Sequence, residues 1–344
     1  MNLPSIAPLH PSAAAVVTLT LSPCLDLTSR VDRVEPWRKL RCTADDVAAG
    51  GGGVNVARVV TELGGNAMAV VALGGHVGSL VARELHRANV PFERVKARGA
   101  TRQNFSVIEA GTGQQFRFVH DAEPMTKHEW TKCLDATVRL GARESCVVAT
   151  GSVPHGVPDD VYAQLAARLR GRVHLIVDTH GAALRACLDA PIDIVKPSDN
   201  ELGELAGMPT GTVEECDIAA RLVLATSQWQ AIVVSCGRNG ALWVPRSDPS
   251  VLVVPPRINA ISTIGAGDSL VAGLALAGSR GISGVEAVRL GVAAGSAAVL
   301  NAGAALCTRA DTFRLLAAVT ARPLHEQLSV GGVDRTPQLR AAAK

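Results

Sequence analysis

The segment Thr263-Ile264-Gly265-Ala266-Gly267-Asp268-Ser269 sets three small residues and an acid at the head of an apolar run. If that run is a helix, its first backbone N–H groups point outward without intrahelical partners. With the helix dipole they form an anion site. Small residues let a phosphate approach the backbone without meeting a Cβ. Asp268 then stands where a hydroxyl would meet a phosphoryl group, within reach to take its proton. An ordinary capped helix with an acid in its first turn uses the same residues, so this segment alone does not decide the matter.

A second segment, Gly50-Gly51-Gly52-Gly53-Val54-Asn55, also opens a run at helical spacing, with Val56, Val59, Val60 and Leu63 on one face. Its glycines allow close approach of a ligand. Asn55 can both donate to and accept from sugar hydroxyls, or simply cap the helix. The stretch does not match G-x-G-x-x-G, and no G-x-x-x-x-G-K-[ST] occurs anywhere. A nicotinamide-binding Rossmann domain and a P-loop kinase are therefore both disfavoured. The His-Arg-Asp and Asp-Phe-Gly elements of protein kinases are absent too.

Taken together, these two segments resemble the paired signatures of the ribokinase-like (PfkB-type) sugar kinases. Other segments follow in family order: Thr18-Leu19-Thr20-Leu21 with Asp26, Lys39-Leu40-Arg41-Cys42-Thr43, Thr101-Arg102-Gln103-Asn104, Gln115-Phe116-Arg117-Phe118-Val119 and Gly291 to Ala298. The resemblance covers about residues 15–318 and is strongest to the branch of the minor bacterial 6-phosphofructokinases. It implies a doubly wound, mainly parallel α/β sheet flanked by helices, with a small β-sheet lid. The implied activity is transfer of the ATP γ-phosphoryl to the 1-hydroxyl of fructose 6-phosphate, with Mg²⁺.

The resemblance also implies roles for particular residues. Asp268 is the base, and Gly265, Ala266 and Gly267 stabilise the charge of the transferred phosphoryl group. Asp26, Gly51 and Asn55 match the sugar-hydroxyl binders, and Ser152 a hydroxyl near the sugar. Arg102 and Arg117 match the forks on the 6-phosphate, with Lys39 a further cation that could come from a partner subunit. On the nucleotide side stand Lys196, Ser198, Asn200, Ser235 and Gly237. Glu201 orients Mg²⁺ through water. The stretch from Ala293 to Ala297 would form a wall of small residues against adenine, or simply pack closely against another helix.

Two departures bear on this reading. Ser198 stands where the family usually has Asn, three residues before the metal-linked Glu, which shortens the reach toward nucleotide or metal. The acids of His120-Asp121-Ala122-Glu123-Pro124 replace a small Gly- and Pro-containing segment and would repel a phosphosugar unless they point away. Two rival readings follow. One is a kinase of tagatose 6-phosphate or fructose 1-phosphate. The other is a catalytically weak sugar-phosphate-binding or regulatory protein, against which the intact Gly265–Asp268 segment argues.

The elements that must hold these residues are legible as well. Val16–Leu21, Ala67–Leu73, residues 145–150, His174–Asp178, Ile192–Val195 and Ala231–Ser235 read as strands, with Leu252–Pro256 extended. Helices fall after Gly50–Gly53, over Val81–Ala88 and Pro158–Leu169, after Ser198, and from about Gly267 and Gly284. Gln103–Glu109 and Gln115–Val119, joined by Gly111-Thr112-Gly113, form a hairpin. Strand–helix alternation of this kind means a mainly parallel sheet. The chain reads as one domain over 15–321, with a lid from about 26–50 and 100–120, a lead-in over 1–14 and a mobile tail over 322–344. Exposed lid edges would need cover, which predicts a homodimer through the lid.

Among 344 residues, 47% are hydrophobic, ample for a large core, and only 3% are aromatic, which disfavours a stacking platform for nucleic acid. The 34 basic and 31 acidic residues are intermixed, so no nucleic-acid or membrane patch stands out. Eight scattered cysteines without a C-x-x-C pair read as reduced thiols. With no basic start for a signal peptide, the expected compartment is the cytoplasm.

Overall fold

In the computed structural model, which describes residues 16–43, 45–141, 146–169, 171–303 and 305–324, an unbroken buried pentapeptide, Val16–Thr20, forms the first strand, β1. Its side chains alternate between two apolar layers: Val17 and Leu19 enter one core and Val16 the other. The same alternation recurs across a ten-stranded sheet. In chain order the elements are β2 (Cys24–Val31), β3 (Asp45–Gly50), α1 (Gly52–Glu62), β4 (Ala67–Leu73), α2 (Gly75–Arg87), β5 (Phe92–Lys96), β6 (Arg102–Glu109), β7 (Gln115–Phe118), α3 (Lys127–Leu140), β8 (Cys146–Thr150) and α4 (Val161–Leu169). They continue with β9 (His174–Asp178), α5 (Gly181–Arg185), β10 (Ile194–Val195), α6 (Asp199–Ala206), α7 (Val213–Thr226), β11 (Ala231–Ser235), β12 (Ala241–Pro245), β13 (Val251–Val254), α8 (Ala266–Gly278), α9 (Gly284–Ala298), α10 (Arg309–Leu316) and β14 (Thr320–Pro323).

The large sheet runs β14-β13-β12-β11-β10-β9-β8-β1-β4-β5. It is parallel from β11 to β5, and its other end is an antiparallel run from β11 to β14. Helices α1, α2, α8, α9 and α10 cover one face, and α3 to α7 the other. This is the ribokinase-like architecture that the motifs implied. Helices α8 and α9 cross very closely: a Cβ on Gly273 would lie 2.6 Å from the Gly291 Cα. That contact seats α8, the helix that carries Asp268, close against α9.

A separate four-stranded sheet, ordered β3-β2-β6-β7, forms the lid. Its register puts Asp26 beside Asn104, and Leu27 beside both Val47 and Phe105, with Phe105 next to Phe118. One face therefore carries polar groups and the other an apolar row. Val47, Phe105 and Phe118 on that row are 41%, 43% and 57% exposed in the single chain.

The tail expected over 322–344 overlaps a strand at its first two residues. Arg322 and Pro323 belong to β14, paired with Leu252 and Val251. A proline and two polar residues conceal this strand in the sequence, and an edge position tolerates them. Residues 325–344 and the lead-in lie outside the described residues.

Candidate active site

The site starts from a row of polar residues at the carboxyl ends of parallel strands. Thr20, Thr150, Asp178 and Lys196 end or follow β1, β8, β9 and β10 at matching register. Ligands of open α/β sheets bind at these ends. Thr150 Oγ1 donates to Asp178 Oδ2 at 3.4 Å, and the Lys196 ammonium pairs with Asp178 Oδ1 at 3.1 Å. Lys196 is only 5% exposed. Burial alone would lower its pKa, but the charge and hydrogen bond of Asp178, with Glu201 and Asp268 nearby, hold it above the ordinary lysine value. The cation lies beneath the start of α8: a Cβ on Gly267 would sit 4.0 Å from Lys196 Nζ.

Two helices converge above this row. The start of α1 is pressed onto it, since a Cβ on Gly52 or Gly53 would come within 2.5 Å of the Thr150 or Thr20 hydroxyl oxygen. That close approach accounts for the glycine run. Helix α8 begins after Gly265, which adopts left-handed angles (φ 75°), and carries Asp268 in its first turn. Asn55 Nδ2 donates to Asp268 Oδ2 at 2.8 Å, joining two segments 213 residues apart in sequence. Burial pushes the Asp268 carboxyl up to about 6, and Asp178 adds to the rise, while the Asn55 hydrogen bond, Lys196 and Arg117 pull it down. A carboxylate so placed is charged at neutral pH yet still a usable proton acceptor.

The lid faces this pair with Asp26 and the two arginines. Asp26 Oδ1 accepts from Asn104 Nδ2 at 2.9 Å and from the Cys24 thiol at 3.4 Å. Asn104 Oδ1 in turn accepts from the His120 backbone N–H at 3.3 Å. Arg117 is exposed on β7, on the same lid face as Asp26, and its charge acts on both Asp268 and Cys24. Arg102 is differently employed. Its Nη1 donates to the His120 carbonyl at 2.6 Å and its Nη2 to the Ser22 carbonyl at 3.2 Å, while its buried Nε has no partner. Arg102 and Asn104 therefore hold the backbone at His120, at the head of the 120–124 segment, whose acids Asp121 and Glu123 are exposed. Ser152 is half-buried just beyond β8, after Gly151. Lys39 is exposed on the loop from β2 to β3, and among the described residues no hydrogen bond or ion pair joins it to the other candidates.

On the opposite side, Ser198 caps α6. Its Oγ accepts from the Glu201 N–H at 3.2 Å, and Glu201 Oε2 accepts from the Ser198 N–H at 2.7 Å. This reciprocal box is what Ser supplies in place of Asn, and it occupies one carboxylate oxygen of Glu201. Asn200 is exposed, Ser235 ends β11 beside Ser198, and Gly237 opens the short turn Gly237–Asn239. The wall expected from Ala293 to Ala297 is not a surface. Ala293, Ala294 and Ala297 are fully buried, and Gly295 lies against the Ala266 carbonyl, so close helix packing accounts for the stretch. Among the described residues no three of His, Cys, Asp and Glu converge as a ready metal cage.

Three residues with evident work in the site escaped the sequence reading. Asn104 orients Asp26, Asp178 holds Lys196, and Arg58 bonds to Asn55. Arg58 had a signal, being a lone cation in the apolar run Val54 to Val60. Asp178 also had one, as the acid ending an apolar strand.

Fold and site define a phosphotransferase of the sugar-kinase class. The chain belongs to the pfkB family carbohydrate kinases, whose pattern matches residues 19–311. It is 39% identical over 300 residues to the ATP-dependent 6-phosphofructokinase isozyme 2 of Mycobacterium tuberculosis, covering 87% of this chain and 88% of that protein. To the Escherichia coli protein of the same name it is 38% identical over 305 residues, covering 88% and 98%. The 1-phosphofructokinase of Borreliella burgdorferi is 29% identical over 310 residues, with 90% and 99% covered. Among solved structures, Escherichia coli phosphofructokinase-2 in complex with fructose-6-phosphate superposes with a TM-score of 0.82 at 36% identity, covering 89% of this chain and 99% of that one. The tetrameric inhibited form of that enzyme gives the same score and the same coverage.

Proposed function

We propose that this chain transfers the γ-phosphoryl group of ATP to the 1-hydroxyl of fructose 6-phosphate, giving fructose 1,6-bisphosphate and ADP. The observation that carries the reading is the Asn55–Asp268 hydrogen bond at 2.8 Å, which brings the two glycine-rich segments to one point at the head of α8. Asp268 takes the hydroxyl proton as the phosphoryl bond forms. The first amides of α8 at Ala266 and Gly267, with the Lys196 ammonium beneath them, stabilise charge on the transferred oxygens. Asp26, fixed by Asn104, accepts from a sugar hydroxyl alongside Asn55, Gly51 and Ser152. Arg117, and Lys39 from a second subunit, hold the 6-phosphate with Arg102.

A magnesium ion would neutralise phosphate charge when bound. Glu201 suits an outer-sphere role, because one of its carboxylate oxygens already serves the cap of α6. Ser198, Asn200, Ser235 and Gly237 line the nucleotide side of this reading. Eight unpaired cysteines favour a reducing compartment, the cytoplasm. Among the described residues no helix is long and apolar enough to cross a membrane. The apolar row of Val47, Leu27, Phe105 and Phe118 supports a homodimer that covers the outer lid face.

Fructose 1-phosphate is the second reading. One observation favours it: Arg102 spends two of its donors on backbone carbonyls, which leaves less of its fork for a 6-phosphate. Both sugars would yield the same bisphosphate, so the test is comparative. ADP release is measured with Mg-ATP and fructose 6-phosphate, fructose 1-phosphate, tagatose 6-phosphate or fructose. A kcat/KM for fructose 6-phosphate at least tenfold above the others supports the first reading. A preference for fructose 1-phosphate replaces it.

A further inference from the structure

Arg58 lies three residues beyond Asn55 on α1, so the two side chains share one helix face. Burial lowers the pKa of its guanidinium from the ordinary arginine value, against the attraction of Asp26, Asp268 and Glu84. A cation withdrawn from water needs acceptors. Arg58 Nη1 has two, the Ala49 carbonyl of lid strand β3 at 2.9 Å and Asn55 Oδ1 at 3.3 Å. An asparagine amide has an acceptor at one end and donors at the other, whereas a guanidinium has donors only. Arg58 therefore draws the Asn55 oxygen to itself and turns the Asn55 NH₂ toward Asp268. The flipped amide would set N–H against N–H at Arg58, and oxygen against carboxylate at Asp268.

Resting on the kinase reading above, we propose that Arg58 is a positioning residue for phosphoryl transfer, anchored on Ala49 and holding Asn55 in the one orientation that donates to Asp268. It acts on the base only through Asn55 and through its charge. The other groups facing Asp268 are Lys196 and Asp178 from the strand ends and Arg117 from the lid. All of them remain when Arg58 is replaced.

The experiment compares Arg58→Met and Arg58→Lys, each in the wild-type and Asn55→Ala backgrounds, by pH–rate profiles with Mg-ATP and fructose 6-phosphate. Arg58→Met is expected to lower kcat about tenfold or more and to move the acid limb of kcat/KM upward by roughly one pH unit, with the KM for ATP unchanged. Arg58→Lys, which keeps the charge, is expected to recover most of the acid limb. In the Asn55→Ala background, Arg58→Met should cost little further kcat. An unmoved acid limb, or an equal loss in both backgrounds, overturns the proposal, because a purely structural arginine would lower the melting temperature without either signature. If the wild-type chain does not turn over fructose 6-phosphate, the kinase reading falls separately. The pH dependence of unfolding then decides. The change in stability due to Asp268, absent in Asp268→Asn, must extend to higher pH in Arg58→Met, and if it does not, the assignment of Arg58 fails.

Discussion

Replacing Asp268 with asparagine should abolish turnover and at the same time make the protein more stable. In the folded chain burial raises this carboxyl from 3.8 to about 6, so its charged form is disfavoured relative to the unfolded state. At about 1.4 kcal/mol per pH unit, that rise corresponds to ~3 kcal/mol of lost stability. The side chain is only half-buried, so water screening brings the figure to roughly 1–3 kcal/mol. Asparagine is nearly isosteric and can still accept from Asn55 Nδ2, so the neutral variant avoids the charge penalty without losing the bond.

The sign follows from linkage. With a folded pKa above the unfolded one, the native state binds the extra proton. The penalty is therefore absent below about pH 4, grows as pH rises toward 6, and is complete above it. The stability gap between Asp268→Asn and wild type should be widest at pH 8 and nearly closed at pH 4. Calorimetric melting of both proteins across that range measures it. A gap independent of pH, or an asparagine variant less stable than wild type at pH 8, would refute the assignment of Asp268 as a carboxylate strained by burial. The same group predicts that wild-type kcat/KM falls below about pH 6, as the base becomes protonated.

The two lid arginines should separate. Arg117→Ala, at an exposed position, should raise the KM for the phosphosugar at least tenfold and leave the melting temperature within a degree or two. Arg102→Ala should also lower the melting temperature, because it frees the His120 and Ser22 carbonyls. Gly51→Ala should cost roughly 1–3 kcal/mol of stability by denaturant unfolding, since Gly51 has φ 106° and a methyl there would lie 2.9 Å from Thr20 Cγ2. Ser198→Asn should leave stability within about 0.5 kcal/mol, because both residues cap helices well, and should lower the KM for Mg-ATP, because asparagine reaches further toward the nucleotide side.

Much of the fold could be read because its strands are short apolar runs bounded by glycine or polar residues. Ala67–Leu73, His174–Asp178 and Ala231–Ser235 fall where the pattern put them. The helix Lys127–Leu140 is hard to read because its charges mask the apolar stripe, although its capping box, Thr126 with Glu129, is a usable signal. The helix Val213–Thr226 carries the same signal in Thr212 and Glu215. The strands β5 and β14 owe their state to pairing with neighbours, which local composition does not encode.

In the site, the glycine-rich segments were visible by composition alone. The pairings that hold the neighbouring side chains in place were not. Asn104 meets Asp26 across 78 positions of sequence, and Asp178 meets Lys196 only through strand register. Such pairings are set by topology: the sequence marks Asp178 as the acid ending an apolar strand, but not the lysine it meets.

Transfer of a phosphoryl group from ATP to the 1-hydroxyl of a phosphosugar can be watched by ³¹P NMR of the protein with Mg-ATP and fructose 6-phosphate. A new sugar-phosphate resonance at C1 should grow in step with ADP, and no such resonance should appear with Asp268→Asn. ADP accompanied only by inorganic phosphate, or a C1 phosphate formed equally well by Asp268→Asn, would contradict it.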